Sequence, residues 1–172
     1  TKEAGKNTTT NYDGDAGAIY ADETTLSIKN GATFTDNNAS YGGAIYLKQK
    51  VMMSATDTTF KNNRAQVNGG AVYSYYNESE PEGVNEIRLL GETSLEENHS
   101  GQDGGAIYRH RDGLKRLIAR KNVAFNDNSA WEDCIAIEPE DEETHKENIE
   151  TTNFTGSFQY AYNNYDVSYR AA

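Results

Sequence analysis

The sequence predicts an all-β chain, a right-handed parallel β-helix (a solenoid) of about five rungs with a C-terminal β-hairpin cap. Three observations carry that expectation. A Gly-Gly-Ala-aliphatic-Tyr segment returns at a nearly fixed interval, an aromatic-x-x-Asn segment precedes each return at a nearly constant offset, and a strictly alternating segment follows the last copy.

The first motif runs Ala16-Gly17-Ala18-Ile19-Tyr20, Gly42-Gly43-Ala44-Ile45-Tyr46, Gly69-Gly70-Ala71-Val72-Tyr73 and Gly104-Gly105-Ala106-Ile107-Tyr108, with a worn fifth copy at Cys134-Ile135-Ala136-Ile137. The second pairs Phe34 with Asn37, Phe60 with Asn63, Leu95 with Asn98 and Phe125 with Asn128; Thr8/Asn11 and Phe154/Ser157 hold the same place at the two ends. A looser apolar run lies between them, as in Thr25–Lys29, Val51–Ser54, Glu86–Leu90 and Leu114–Ile118. Short apolar runs separated by Gly, Asn and Asp read as strands joined by turns, and no copy sustains a helical period. Three such strands per repeat make one turn of a coil whose rungs stack about 4.8 Å apart.

Stacking gives each column a physical task. Asn37, Asn63, Asn98 and Asn128 would lie over one another and pass amide hydrogen bonds from rung to rung. Phe34, Phe60, Leu95 and Phe125 would fill the interior. Alternation puts Ile19, Ile45, Val72, Ile107 and Ile137 inward and Tyr20, Tyr46, Tyr73 and Tyr108 on the opposite, outer face. Those four tyrosines are the candidate partner-binding residues: they either stack on each other and shield the sheet, or form an aromatic strip for a partner chain or sugar ring.

After Phe154 the pattern changes. Ser157–Tyr162 and Tyr165–Tyr169 alternate around Asn163-Asn164, which reads as a hairpin. The chain thus divides into β-helix repeats over 1–156 and a hairpin over 157–172 that either caps the last rung or contacts another subunit, since a solenoid end leaves core and strand edges open.

Composition supports this and excludes other classes. The hydrophobic share is 35%, below the roughly 45–50% of ordinary globular chains, yet twelve tyrosines argue against disorder. The net charge of −11 with no basic patch disfavours nucleic acid and anionic membranes. The acidic runs Asn77–Glu82 and Glu138–Glu143 read as solvated loops. Cys134 is the single cysteine, so no intrachain disulfide forms, and a small buried side chain suits it better than a nucleophile. No run is long and apolar enough for a membrane helix. Beginning at Thr1 without a signal segment, the sequence reads as a mature region or a piece of something longer.

No catalytic, metal-binding or cofactor-binding residue is assigned. Asp13, Asp15, Asp103 and Asp133 each precede a first-motif strand and could meet at one corner, as carboxylates do in polysaccharide-cleaving β-helices, but Asp is also a default turn residue. His99, His110 and His145 lack metal-ligand spacing, and His110 falls in the basic stretch Arg109–Arg111, read as a loop. Asn-x-Ser/Thr occurs at Asn7, Asn38, Asn77, Asn98 and Asn153, which an Asn- and Thr-rich repeat produces by composition.

From Thr8 to Phe154 the paired Gly-Gly-Ala-Ile/Val and Phe-x-x-Asn motifs resemble the repeats of the chlamydial polymorphic membrane proteins and related bacterial extracellular repeats. The resemblance implies a β-helical passenger region, exported by an autotransporter route and used in adhesion to host cells. The chain departs from it in having no C-terminal barrel and no glycines in the fifth copy. The expected function is therefore a non-catalytic, adhesin-like module at a bacterial cell surface or outside the cell. Its partner would be a host or neighbouring-cell surface protein or glycan, with self-association possible and no membrane insertion. Two other readings stand beside it: a structural subunit that polymerises through rung ends and the hairpin, and a polysaccharide lyase or hydrolase of the pectate-lyase-like fold.

Overall fold

The computed structural model describes residues 14–75, 79, 83–110, 117–120, 122–130 and 167–170. The repeats coil into a parallel β-solenoid with four short strands in each turn. The first turn holds β1 (Ile19–Ala21), β2 (Thr25–Ile28), β3 (Thr33–Thr35) and β4 (Asn38–Ala39). The second holds β5 (Ile45–Leu47), β6 (Met52–Thr56), β7 (Thr59–Lys61) and β8 (Arg64–Ala65), and the third β9 (Val72–Ser74), β10 (Glu86–Leu90), β11 (Ser94–Glu96) and β12 (His99–Ser100). Then follow β13 (Ile107–His110), β14 (Leu117–Ala119), β15 (Ala124–Asn126), β16 (Ser129–Ala130) and β17 (Val167–Arg170). Equivalent strands pair in parallel as four sheets: A, in the order β1-β5-β9-β13-β17; B, β2 to β14; C, β3 to β15; and D, β4 to β16.

Three expectations change here. The turn has four strands rather than three, because the chain pairs again for two residues after each ladder asparagine, through Asn38↔Arg64 and His99↔Ser129 among others. The coil makes about three turns from β1 round to β13, with β14–β16 carrying it onward, rather than five. The fifth place in sheet A belongs to β17, which aligns Val167 with Ile107. A strand has two edges, and those of β13 are taken by β9 and β17. Val167 continues the aliphatic column on Ile107, at 1% exposure, and Ile137 lies outside the described residues. The worn copy itself and the first arm of the expected hairpin, 157–162, lie outside the described residues.

The interior is built as the columns require. Phe34, Phe60, Leu95 and Phe125 are buried in register, and the rings of Phe34 and Phe60 stack at 4.9 Å and 8°. Met53, Ile87 and Leu117, and Ile45, Val72 and Ile107, line the same core. Each such side chain contributes about 1.5–3 kcal/mol relative to exposure.

The asparagine ladder is present and continuous. Asn37 Nδ2 donates to Asn63 Oδ1 at 2.8 Å, Asn63 Nδ2 to Asn98 Oδ1 at 2.9 Å, and Asn98 Nδ2 to Asn128 Oδ1 at 2.9 Å. Each Oδ1 also accepts from the backbone N–H of the ladder residue one turn earlier. The second amide hydrogen goes to a core carbonyl: Asn63 to Phe34, Asn98 to Phe60, Asn128 to Leu95. A buried primary amide is thereby satisfied by copies of itself, which is why the position repeats. The left-handed residue of this corner is the one before the ladder: Asp36, Asn62, Glu97 and Asp127, with φ of 57, 50, 54 and 52°.

The glycine pair closes each turn. Gly42, Gly69 and Gly104 have φ of 55, 71 and 67°. At the second position a Cβ on Gly17, Gly43 or Gly70 would come within 2.0, 2.2 or 1.9 Å of the carbonyl oxygen of the equivalent glycine one turn on. No side chain fits there.

Candidate functional site

Sheet A positions the four candidate tyrosines. Register pairs Tyr20 with Tyr46, Tyr46 with Tyr73 and Tyr73 with Tyr108, so their rings repeat at 5.2, 5.0 and 5.2 Å with interplanar angles of 8, 32 and 4°. Tyr46, Tyr73 and Tyr108 form a cluster separate from the main core, on the opposite face of the sheet as alternation requires, and Tyr20 stacks on its end. The column is not an open aromatic strip, however. Tyr46, Tyr73 and Tyr108 are buried, and Tyr20 alone is half-exposed, at 51%.

Two tyrosines outside the repeat motifs supply part of the cover. Tyr41 lies tilted on Tyr73 at 5.0 Å, and Tyr75 lies beside Tyr46 at 6.5 Å. Tyr75 could have been found, since it is two residues beyond Tyr73 and alternation returns it to the same face. Burial pushes the phenol pKa of Tyr73 upward, reinforced by Tyr46. It does the same to Tyr46, reinforced by Asp15.

Beside Tyr20 the corner between sheets A and B carries paired charge. Lys48 Nζ meets Asp22 at 3.0 Å, Lys50 Nζ meets Glu23 at 3.1 Å, and Gln49 Nε2 donates to Glu23 at 3.1 Å. One turn of chain thus answers the next, and the exposed ring sits next to a locally neutral, hydrogen-bonding rim. A flat ring backed by a second ring suits contact with another apolar plane, whether a sugar face or an aromatic side chain.

The same corner holds a polar core that the sequence did not reveal. Asn85 Oδ1 accepts from Val51 N–H at 2.9 Å, and its Nδ2 reaches Leu47 and Tyr75 carbonyls at 3.1 and 3.0 Å. Arg109, read from sequence as part of a loop, is in β13 and 1% exposed; its Nη2 donates to the Asn85 carbonyl at 2.8 Å.

The other expected chemistry does not converge. Asp15 precedes β1 and Asp103 precedes β13, three turns apart, or roughly 14 Å along the coil; Asp13 and Asp133 lie outside the described residues. His99 lies on sheet D with Nδ1 2.9 Å from Ser129 Oγ, and burial followed by Arg64 lowers its pKa. His110 belongs to β13 on sheet A; His145 and Cys134 lie outside the described residues. Among the described residues, no group of His, Cys, Asp or Glu could hold a metal ion. Asn98, in an Asn-x-Ser match, is fully buried in the ladder and closed to modification.

No curated protein and no solved structure matches the chain. Residues 31–48 and 57–75, two successive copies that each run from an aromatic-Asn corner toward the next glycine strand, match the family model of the Chlamydia polymorphic membrane protein (Chlamydia_PMP) repeat.

Proposed function

We propose that this chain is a non-catalytic, adhesin-like module of a bacterial surface, which holds a flank of its solenoid against a protein or glycan of a host or neighbouring cell. The observation that carries the reading is Tyr20. Its ring is fixed by Tyr46 at 5.2 Å while half of its surface stays open, so binding would cost little side-chain ordering. The match to a polymorphic membrane protein repeat supports a surface setting, and rungs paired in register supply the rigidity an attachment surface needs.

The test compares the purified chain with Tyr20→Ala and Met52→Ala in binding to cultured cells and to an immobilised glycan panel. Met52 is the other exposed large apolar side chain among the described residues. Tyr20→Ala should lose most of the binding and Met52→Ala little. Equal binding by all three proteins, or cleavage of uronate polymers by the native chain, overturns the reading.

A further inference from the structure

Exposure at the first turn is uneven, and the unevenness has a shape. In sheet A, Ala44, Ala71 and Ala106 are fully buried, whereas the equivalent Ala18 is exposed. Ile45, Val72 and Ile107 are fully buried, whereas Ile19 is only partly so. Tyr20 repeats the contrast with Tyr46, Tyr73 and Tyr108. In sheet B, Leu26 is partly covered where Met53, Ile87 and Leu117 are sealed. Yet in the same turn Phe34 on sheet C and Asn37 at the ladder are as buried as their copies, at 3% and 0%. The open surface therefore runs along the outer edges of β1 and β2 as far as Ala32, where β3 begins, and among the described residues β1 and β2 pair only with β5 and β6.

We propose that this edge is a docking site for an extended polypeptide strand of the form glycine-small-aliphatic-aromatic, added in parallel to β1 by main-chain pairing. Such a strand narrows the proposed binding face to one kind of partner, and the assignment rests on that reading. Main-chain groups on an edge strand accept another strand whatever its origin. The side chains then choose. An aliphatic residue of the incoming strand would seal Ile19, and an aromatic one would continue the ring stack on Tyr20 at the 5.0–5.2 Å spacing of the column.

The sharpest selection is at the glycine column. A Cβ on Gly17 would come within 2.0 Å of the Gly43 carbonyl oxygen. By the same geometry, the residue docked one turn before Gly17 must lack a Cβ, or it would collide with the Gly17 carbonyl. The fitting partner is therefore a repeat-type strand that carries glycine two positions before its aliphatic residue.

A fluorescently labelled peptide of Ser40–Leu47 supplies such a strand, and a second peptide with Gly43→Ala supplies its near-identical control. Titration of the full chain, followed by anisotropy, should show saturable binding of the first peptide and at least tenfold weaker binding of the second. Hydrogen exchange should slow at Ile19–Ala21 when the first peptide is bound. Absence of saturable binding, equal binding of the two peptides, or protection elsewhere overturns the proposal. Cell binding that still depends on Tyr20 while both peptides fail would sink the strand site alone, because a glycine-to-alanine change cannot affect a sugar contact.

Discussion

Replacing Asn63 with alanine tests the ladder at its best-connected point. The native side chain accepts from the N–H and Nδ2 of Asn37 at 3.2 and 2.8 Å, and donates to the Phe34 carbonyl and Asn98 Oδ1, each at 2.9 Å. All these groups are buried, so truncation deprives two donors of Asn37 and one carbonyl of this partner, while Asn98 Oδ1 keeps the Asn63 N–H at 3.1 Å. A stranded buried group costs about 1–3 kcal/mol. Neighbouring losses overlap, so the expected total is about 2–4 kcal/mol. Urea unfolding followed by far-ultraviolet dichroism reads it directly: at a slope of about 2 kcal/mol per M, a loss of 3 kcal/mol lowers the midpoint by about 1.5 M. Ser27→Ala, on the exposed face of sheet B, should stay within about 0.5 kcal/mol of native. Asn63→Asp keeps the shape but points an acceptor at the Phe34 carbonyl and Asn98 Oδ1, and should cost at least as much as alanine at neutral pH. If Asn63→Ala behaves like Ser27→Ala, or the aspartate is tolerated, the ladder is not what holds the turns in register.

Gly43→Ala places a Cβ 2.2 Å from the Gly70 oxygen and 2.6 Å from the Arg64 oxygen; both are backbone atoms, so the variant should lose about 3 kcal/mol or more, against near-native melting if the stack can open. Tyr73→Ala should destabilise by about 3–5 kcal/mol, as large aromatic truncations do, while Tyr20→Ala costs far less, so thermal melts rank the column from its buried end to its open one. Because burial raises the Tyr46 and Tyr73 pKa values, their contribution is intact below about pH 10 and fades above it; phenolate absorbance should therefore appear in two stages, the second coinciding with unfolding. His99 has the opposite sign for a base: its folded pKa lies below the ordinary value near 6.5, so below that pH the unfolded chain takes the proton first and stability falls. Native and His99→Gln proteins should then diverge as pH drops toward 5, and parallel curves would contradict the lowered pKa.

The elements legible in the sequence are those whose partner is another copy of themselves. An asparagine whose amide is satisfied by the next asparagine, or a phenylalanine stacked on the next, must recur in type and in spacing, and both did. The two-residue strands β4, β8, β12 and β16 escaped notice because they are too short to show alternation, and their outward residues Asn38, Arg64, His99 and Ser129 share no chemistry. The burial of the tyrosine column was not readable from the column itself, since its cover includes Tyr41 and Tyr75, which recur in no other copy. Arg109 was misplaced because arginine normally marks solvent, and only the fold brings the Asn85 carbonyl to it. β17 took the place expected for Cys134–Ile137 although it lacks the glycine motif: Val167 supplies the inward aliphatic residue, and the outermost layer of sheet A among the described residues has nothing beyond it to demand glycine.

Connections between sheets C and D are always residues 36–37, 62–63, 97–98 or 127–128, whereas those from A to B are 22–24, 48–51, 75–85 and 111–116. Even so, β10 rejoins β6 with Glu86 facing Met52, as β6 met β2 with Met52 facing Thr25. At the longest of these connections, 75–85, Asn85 gathers the Leu47 and Tyr75 carbonyls where the excursion ends, so length there is free of the rung spacing. A segment inserted there would emerge beside the aromatic stack without shifting a single rung, so this seam can change in length while the amide ladder and stacked rings behind it keep their register.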